Sequence, residues 1–270
     1  MGSSGPRHGP PSNSGAFTVH TPTLRYHELA VREGAMEIAR LSLCDYADDL
    51  VALVESLDRP PLLVGYSLGG LVVQLVASRA RHIGMIAACP SAVGPAGLNR
   101  TTLGISVGHA LKPRPWAKPV HPPTWERFWP AVAGKQSEQV ARELFDGLVC
   151  ESGRVLFFEL AIPWLDRTRA AQVDFSAVAG PVLLIGGGSD RIVPGRLARR
   201  TAARYRNATY VEIPESDDMV FLWGSFARYH TTHRRMDRPQ QRALSHRTLS
   251  PPTRRTWSPR PQHRVVELTP

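Results

Sequence analysis

The chain has 270 residues, 42% of them hydrophobic and 21% charged, which is typical of a globular protein with enough material for a sizeable core. No apolar run reaches the roughly 20 residues of a membrane-spanning helix, and the first residues lack the apolar core of a signal peptide, so we expect a cytoplasmic protein. The three cysteines, Cys44, Cys89 and Cys150, are widely spaced in no metal-ligand pattern, which favours buried free thiols.

The net charge of +10 belongs to one end of the chain. Ten arginines lie between Arg228 and Arg264, against only Asp237 and Glu267. A basic segment can bind nucleic acid or an anionic membrane, but this one lacks amphipathic periodicity and a recognisable binding module. We therefore predict no specific nucleic-acid partner, no membrane span and a disordered tail over residues 226–270.

The first part of the chain contains few regular elements. Residues 1–15 are rich in Gly, Ser and Pro, which predicts a flexible segment. The stretch AFTVHTPTL, residues 16–24, predicts a short strand. Ser42 and Asp45 then predict a capping box at the start of a helix whose apolar residues have helical spacing.

Strands and helices alternate along the rest of the chain up to about residue 225. LLVGY and IGMIAA predict buried parallel strands, as do VLLIGG and ATYVEI, and helical stretches lie between them. This alternation predicts an α/β fold with an open, mainly parallel sheet flanked by helices. The Pro- and Trp-rich residues at about 91–175 interrupt the pattern and predict a helical cap inserted into a domain over 16–225.

The segment VGYSLGG places a serine between a predicted strand and a predicted helix. Residues 65–69 match Gly-x-Ser-x-Gly, the nucleophile elbow, in which a sharp turn exposes the serine hydroxyl. Small glycine neighbours allow a strained backbone at Ser67 and a close approach of strand and helix. The motif predicts Ser67 as a nucleophile; the alternative is a tight glycine turn with an incidental serine.

From about Thr18 to Phe221 the sequence resembles a capped member of the α/β-hydrolase superfamily, near its esterase and lipase-like branch. The segments that carry the resemblance occur in the family's order: LRYHELA, DYADDLVALVESLD, VGYSLGGLVVQLVA, CESGRVLFFELAIPWLD and GGGSDRIVP. The resemblance implies an α/β-hydrolase fold that lacks its first strands, with the fourth segment as a cap helix. We expect no cofactor and no metal.

The resemblance also implies roles for individual residues. Asp190, after a strand, matches the acid that orients the catalytic histidine, and the backbone N–H of Leu68 matches an oxyanion donor. For Asp190 the alternative is that it caps its own turn or pairs with Arg191.

Two parts of the family's machinery are missing from the sequence. The catalytic histidine is expected after the last strand, where the segment IPESDDMVF has Asp218. A carboxylate beside Asp190 adds like-charge repulsion and cannot replace an imidazole. The family's His-Gly loop has no counterpart except His8-Gly9, which follows no strand and is interpreted as coincidence. Other histidines could serve as a substitute base, although each is more often a surface or satisfied polar residue: His20, His27, His230 and His233.

The unusual tail suggests a further hypothesis. A one-nucleotide shift at Met236-Asp237 necessarily encodes Trp, and permissible codons then give a segment much like the family's last helix. The tail would then be an out-of-frame translation, which reading the encoding DNA in all three frames would test. Such a shift would not explain Asp218.

Three functions follow from these residues. The first is a serine hydrolase that acts on an ester or related acyl compound through Ser67 and Asp190. The second is a catalytically impaired relative or truncated product, and the third is a protein that binds nucleic acid or a membrane surface through the Arg-rich tail. Aromatic residues of the cap are candidates for an acyl-binding wall or for cap core: Phe157, Phe158, Trp164 and the tryptophans between 116 and 129. The sequence does not predict the oligomeric state.

Overall fold

The computed structural model describes residues 12–14, 17–29 and 31–221 of the chain. The predictions for residues 226–270, for His8-Gly9 and for His230 and His233 lie outside these residues. Among the described residues, no helix is long and apolar enough to cross a membrane.

The α/β fold is confirmed, and its centre is a four-stranded sheet in which every neighbouring pair is parallel. The strands follow one another across the sheet in chain order: β3 (Leu62–Tyr66), β4 (Gly84–Ala88), β5 (Val182–Gly187) and β6 (Ala208–Ile213). A separate antiparallel pair precedes them: β1 (Ser12–Ser14) and β2 (Phe17–Val19). All four carboxyl ends of the parallel strands therefore meet at one edge, where α/β proteins place their sites.

Seven α-helices surround or extend this sheet among the described residues. They are α1 (Val31–Ile38), α2 (Leu43–Glu55), α3 (Leu68–Ala77), α4 (Arg100–Ala110), α5 (Trp125–Val132), α6 (Glu138–Asp146) and α7 (Gly195–Ala202). Helix α3 packs against β3 and β4, whereas α7 packs against β5 and β6. The segment between β4 and β5 contains α4, α5 and α6, and we call it the cap.

The start of α2 confirms the predicted capping box. Ser42 Oγ accepts a hydrogen bond from the Cys44 N–H at 3.1 Å, and Asp45 Oδ2 accepts one from the Ser42 N–H at 2.8 Å. A third acceptor comes from the cap: Glu159 Oε2 receives the Leu43 N–H at 2.8 Å. The cap is therefore anchored to the first turn of α2.

The two faces of the sheet are covered unequally. The larger core joins the face that carries Leu63 and Met85 to α2, α3 and α7. On the opposite face a small cluster forms, made of Ala88, Cys89, Ile185, Ile213 and Val220.

The prediction of a buried strand is wrong for half of β3. Leu62 and Val64 are 50% and 54% exposed. The reason is that β3 pairs only with β4 among the described residues, and α3 covers only the face that carries Leu63 and Gly65. Among the described residues, the sheet therefore has an unpaired edge at β3 and apolar surface beside it.

The segment expected to form a cap helix is mostly not helical. The stretch RVLFFELAIPWL forms only a π-helical turn at Val155–Glu159. Val155 and Leu160 pack into the larger core, and Pro163 cannot continue a helix, so this stretch serves as a connection between cap and core.

Candidate active site

Ser67 occupies a strained bend between β3 and α3. Its φ of 50° and ψ of −118° lie where residues with a side chain are rarely found. The bend is held from both sides: the Ser67 N–H donates to the Ala88 carbonyl at 2.9 Å, and the Ser67 carbonyl accepts the Ser91 N–H at 2.9 Å. The serine side chain makes no capping hydrogen bond to α3. Such strain costs about 1–3 kcal/mol and is concentrated at functional sites.

Two of the nearby glycines are required by packing, and one is not. A Cβ on Gly65 would lie 2.2 Å from the Gly69 carbonyl oxygen, and one on Gly70 would lie 3.0 Å from Pro90 Cα. A Cβ on Gly69 would meet nothing within 4 Å, so the expectation of close packing is wrong at this position. Leu68 is the first residue of α3, where backbone N–H groups have no acceptor within the helix.

Asp190 follows β5 and is 6% exposed. Its Oδ1 accepts the N–H groups of Ile192 at 2.7 Å and Val193 at 2.9 Å, so this oxygen caps the turn, as the alternative interpretation proposed. Within the described residues it forms no ion pair with Arg191. Its other oxygen, Oδ2, is buried and receives no N–H donor from the described residues, and the hydrogen-bonding neighbours of the carboxylate there are the Cys89 thiol and the Asp218 carboxyl.

Asp218 lies in the loop after β6 and is only 4% exposed. Its carboxyl contacts that of Asp190. The Tyr66 hydroxyl donates a hydrogen bond to Asp218 Oδ2. Burial, followed by the charge of Asp190, raises the pKa of Asp218 well above its ordinary value. Burial also raises the pKa of Asp190, against the stabilising effect of its two backbone donors. The pair therefore favours one carboxylate, on Asp190, and one protonated acid, on Asp218.

Three residues at this edge were not predicted from the sequence to belong to the site: Tyr66, Cys89 and Asp217. Cys89 follows β4 with a φ of 41°, and its Sγ lies within 4.8 Å of a carboxylate oxygen of both Asp190 and Asp218. Burial, then the charge of Asp218, raises the pKa of the Cys89 thiol above its ordinary range. The available signal was the position of Cys89 directly after a predicted strand.

Asp217 ties the loop of Asp218 to the cap. Its Oδ2 accepts the Lys135 N–H at 2.8 Å, and its Oδ1 accepts the Gln136 side-chain amide at 2.9 Å. Asp217 is itself 5% exposed, and the two hydrogen bonds hold its loop against the cap.

The histidine rings whose contacts are described are engaged elsewhere. His27 donates from Nδ1 to the Arg25 carbonyl at 3.0 Å, and its Nε2 lies 3.5 Å from Glu151 Oε2. His109 stacks on Phe157 with ring centroids 4.7 Å apart. His20 is exposed just beyond β2. None of these contacts brings an imidazole to Ser67 or Asp190.

A cavity of about 610 Å³ lies between α3, α7 and the cap. Its wall includes Leu71 and Ser91 from the Ser67 side, Trp164 from the cap and Arg200 from α7. Phe157 and Phe158 do not line it. Trp125 and Trp129 pack with Phe128 inside the cap, so these tryptophans form cap core.

Comparison with solved structures reveals the same fold in several hydrolases. A monoacylglycerol lipase from Paleococcus ferrophilus is 18% identical with a TM-score of 0.51, covering 73% of this chain and 76% of that one. A hydrolase from Pseudomonas aeruginosa PA01 is 20% identical with a TM-score of 0.53, covering 79% of both. A meta-cleavage product hydrolase from Pseudomonas fluorescens IP01 is 13% identical with a TM-score of 0.52, covering 83% and 81%. At these identities the likeness shows the fold alone.

The sequence itself identifies the family. No curated protein matches the chain. The model of the alpha/beta hydrolase family, in contrast, matches residues 8–242, which is most of the chain. The chain therefore belongs to the alpha/beta hydrolase family.

Proposed function

We propose that this protein is a serine hydrolase of small carboxylic esters or related acyl compounds, with Ser67 as nucleophile and Asp190 as the acid of the site. The observation that carries the proposal is the bend at Ser67, a strained, non-glycine residue at a strand-to-helix turn. Strain of this kind is retained where it positions a reactive group.

The start of α3 would stabilise the negative charge that develops during the reaction. Ser67 Oγ would attack the acyl carbon, and negative charge would develop on the carbonyl oxygen. The Leu68 N–H and the positive end of the helix dipole would stabilise that charge. Water would then release the acyl group from Ser67 and regenerate the hydroxyl.

Proton removal from Ser67 is the weak step in this site. Asp218 is where the family's base is expected, and its carboxyl is engaged with Tyr66 and Asp190. Burial and the charge of Asp190 raise the pKa of Asp218 and so favour the protonated form, which accepts no proton from Ser67, and Ser67 would remain a weak nucleophile. Loss of one triad member typically leaves about 10³–10⁴-fold catalysis over water.

Labelling with a fluorophosphonate probe tests the nucleophile. We expect the wild type to be labelled and Ser67→Ala not to be. Ser78→Ala is the matched control, since Ser78 follows the other end of α3, where its hydroxyl bonds to the Leu75 carbonyl. A folded wild type that takes up no label would contradict the proposal.

Restoring the base tests the explanation for weak activity. Asp218→His would place an imidazole against Asp190, and general-base catalysis typically contributes about 10²–10⁴-fold. We expect turnover of a p-nitrophenyl ester to rise at least about 100-fold. Asp218→Asn, which removes the charge without adding a base, should show no such gain. An unchanged rate in folded Asp218→His would mean that the base belongs elsewhere.

The second candidate function is a non-catalytic member of the family. The buried contact between Asp190 and Asp218 favours it, because the described partners of these carboxyls are Tyr66, the Cys89 thiol, the turn of Ile192 and Val193, and each other. An unlabelled wild type, together with an unreactive Asp218→His variant, would support this alternative.

A further inference from the structure

We propose that Cys89, Asp190 and Asp218 form a zinc-binding site at the carboxyl edge of the sheet. The three residues are far apart in sequence, so no ligand-spacing motif marks them. The fold brings them together because each lies after one of three adjacent parallel strands: Cys89 comes directly after β4, and Asp190 and Asp218 lie in the loops that follow β5 and β6. Zinc binding at this place does not depend on whether Ser67 is reactive.

The geometry suits a small cation. Cys89 Sγ and one carboxylate oxygen from each aspartate all lie within 4.8 Å of one another. Tetrahedral zinc with ligand bonds of about 2.0–2.3 Å needs ligand atoms roughly 3.3–3.5 Å apart. Side-chain rotations that draw these atoms inward by up to about 1 Å would complete the site.

Two buried oxygens have no hydrogen-bond donor outside the cluster itself. Asp190 Oδ1 is engaged by two backbone N–H groups and Asp218 Oδ2 by the Tyr66 hydroxyl. Asp190 Oδ2 and Asp218 Oδ1 receive no donor from described residues outside the cluster, and within it the Asp218 carboxyl and the Cys89 thiol are the hydrogen-bonding neighbours of Asp190. Both side chains are more than nine-tenths buried. Buried acceptors in carboxyl groups that touch each other require a cation between them, either a proton or a metal ion.

The hydrogen bonds that Asp190 Oδ1 and Asp218 Oδ2 already accept resemble those that orient carboxylate ligands in metal sites. In metal sites, carboxylates are oriented by hydrogen bonds to the oxygen that does not bind the metal. Tyr66 does this for Asp218, and the turn of Ile192 and Val193 does it for Asp190.

The donor set selects the kind of metal. A thiolate is a poor ligand for Mg²⁺ and Ca²⁺, which prefer oxygen alone, whereas zinc accepts both sulfur and carboxylate oxygen. Three protein ligands leave a fourth position for water. On binding, the thiol proton and the proton shared by the two carboxyls would leave to solvent, so that three negative ligands face Zn²⁺.

The test is metal binding by the full-length protein. The protein is refolded with Zn²⁺, dialysed and measured for zinc by elemental analysis, and is refolded in parallel with Co²⁺, whose bond to a thiolate gives a near-ultraviolet charge-transfer band. We expect about one zinc per chain and a cobalt band that disappears in Cys89→Ala. Asp218→Asn should bind zinc at least about 10-fold more weakly. Cys44→Ala is the matched control, since Cys44 lies in α2, away from the cluster, and should keep both signals.

Wild-type protein that is folded by circular dichroism but holds no zinc would overturn the proposal. Full binding by both Cys89→Ala and Asp218→Asn would overturn it as well, because the metal would then lie elsewhere. These readouts are independent of fluorophosphonate labelling. A labelled protein without zinc would disprove only the zinc site, and an unlabelled protein with zinc would disprove only the serine mechanism.

Discussion

A methyl group on Gly65 would lie 2.2 Å from the carbonyl oxygen of Gly69, far inside van der Waals contact. The oxygen belongs to the backbone of α3 and cannot rotate away as a side chain could. We expect Gly65→Ala to lower the free energy of unfolding by about 3 kcal/mol or more, at the upper end of the cost of overpacking. Urea unfolding followed by circular dichroism measures this change.

Gly69→Ala is the matched control for that substitution. Its Cβ would enter open space, and alanine favours a helix over glycine by about 1 kcal/mol. We expect unchanged or higher stability. A loss at Gly69 as large as at Gly65 would show that the close approach is not what makes Gly65 necessary.

Arg154 and Glu159 form an ion pair within the cap, with Arg154 Nε 2.8 Å from Glu159 Oε1, beside the contact of Glu159 with the first turn of α2. The Glu159 side chain is fully buried, whereas that of Arg154 is 38% exposed. We expect Arg154→Met to destabilise the protein by about 3 kcal/mol, because it leaves a buried carboxylate without its partner. Thermal unfolding of the variant checks this value.

An exposed pair provides the comparison. Arg79 and Asp48 lie 2.5 Å apart at the surface, and such pairs contribute only about 0–1 kcal/mol. Arg79→Met should therefore change stability little. Equal effects of the two substitutions would mean that burial of Glu159 does not determine the cost.

His27 predicts a dependence of stability on pH. Burial lowers its pKa, but the hydrogen bond and charge of Glu151, with the Arg25 carbonyl, outweigh burial and leave the pKa above its ordinary value. A raised pKa in the folded state stabilises the fold below the unfolded value of about 6.5, and this stabilisation is lost as the pH rises through the folded value. We expect the free energy of unfolding to fall from about pH 6.5 upward.

Substitution of His27 and of a second histidine separates the contribution of His27 from that of other titrating groups. His27→Gln should flatten the decline, whereas His20→Gln, at an exposed histidine, should retain it. Denaturant titrations at several pH values measure the slope. An unchanged slope in His27→Gln would assign the dependence to other groups.

Local signals in the sequence predicted local structure well. The capping box at Ser42 and Asp45 depends on residues a single helical turn apart, and its geometry is as expected. The exposure of Leu62 and Val64 could not be predicted in the same way. It depends on which strand lies beside β3, and a short apolar strand has the same sequence whether one face or both are covered.

The residues of the candidate site also differ in whether the local sequence could predict them. Ser67, Asp190 and Asp218 were found because a motif or a family position marks each, although their roles stay predictions. Tyr66 and Cys89 join them only through the register of parallel strands. Cys89 looked like an ordinary buried thiol, since its distance in sequence from both aspartates conceals their proximity.

The hydrogen bonds that Asp217 accepts from Lys135 and Gln136 join the cap to the loop that carries Asp218. A chimaera that exchanges the cap for that of another hydrolase would break these bonds and release the residue beside Asp190. Any engineering of substrate preference through the cap must therefore transplant its partner at position 217 along with it.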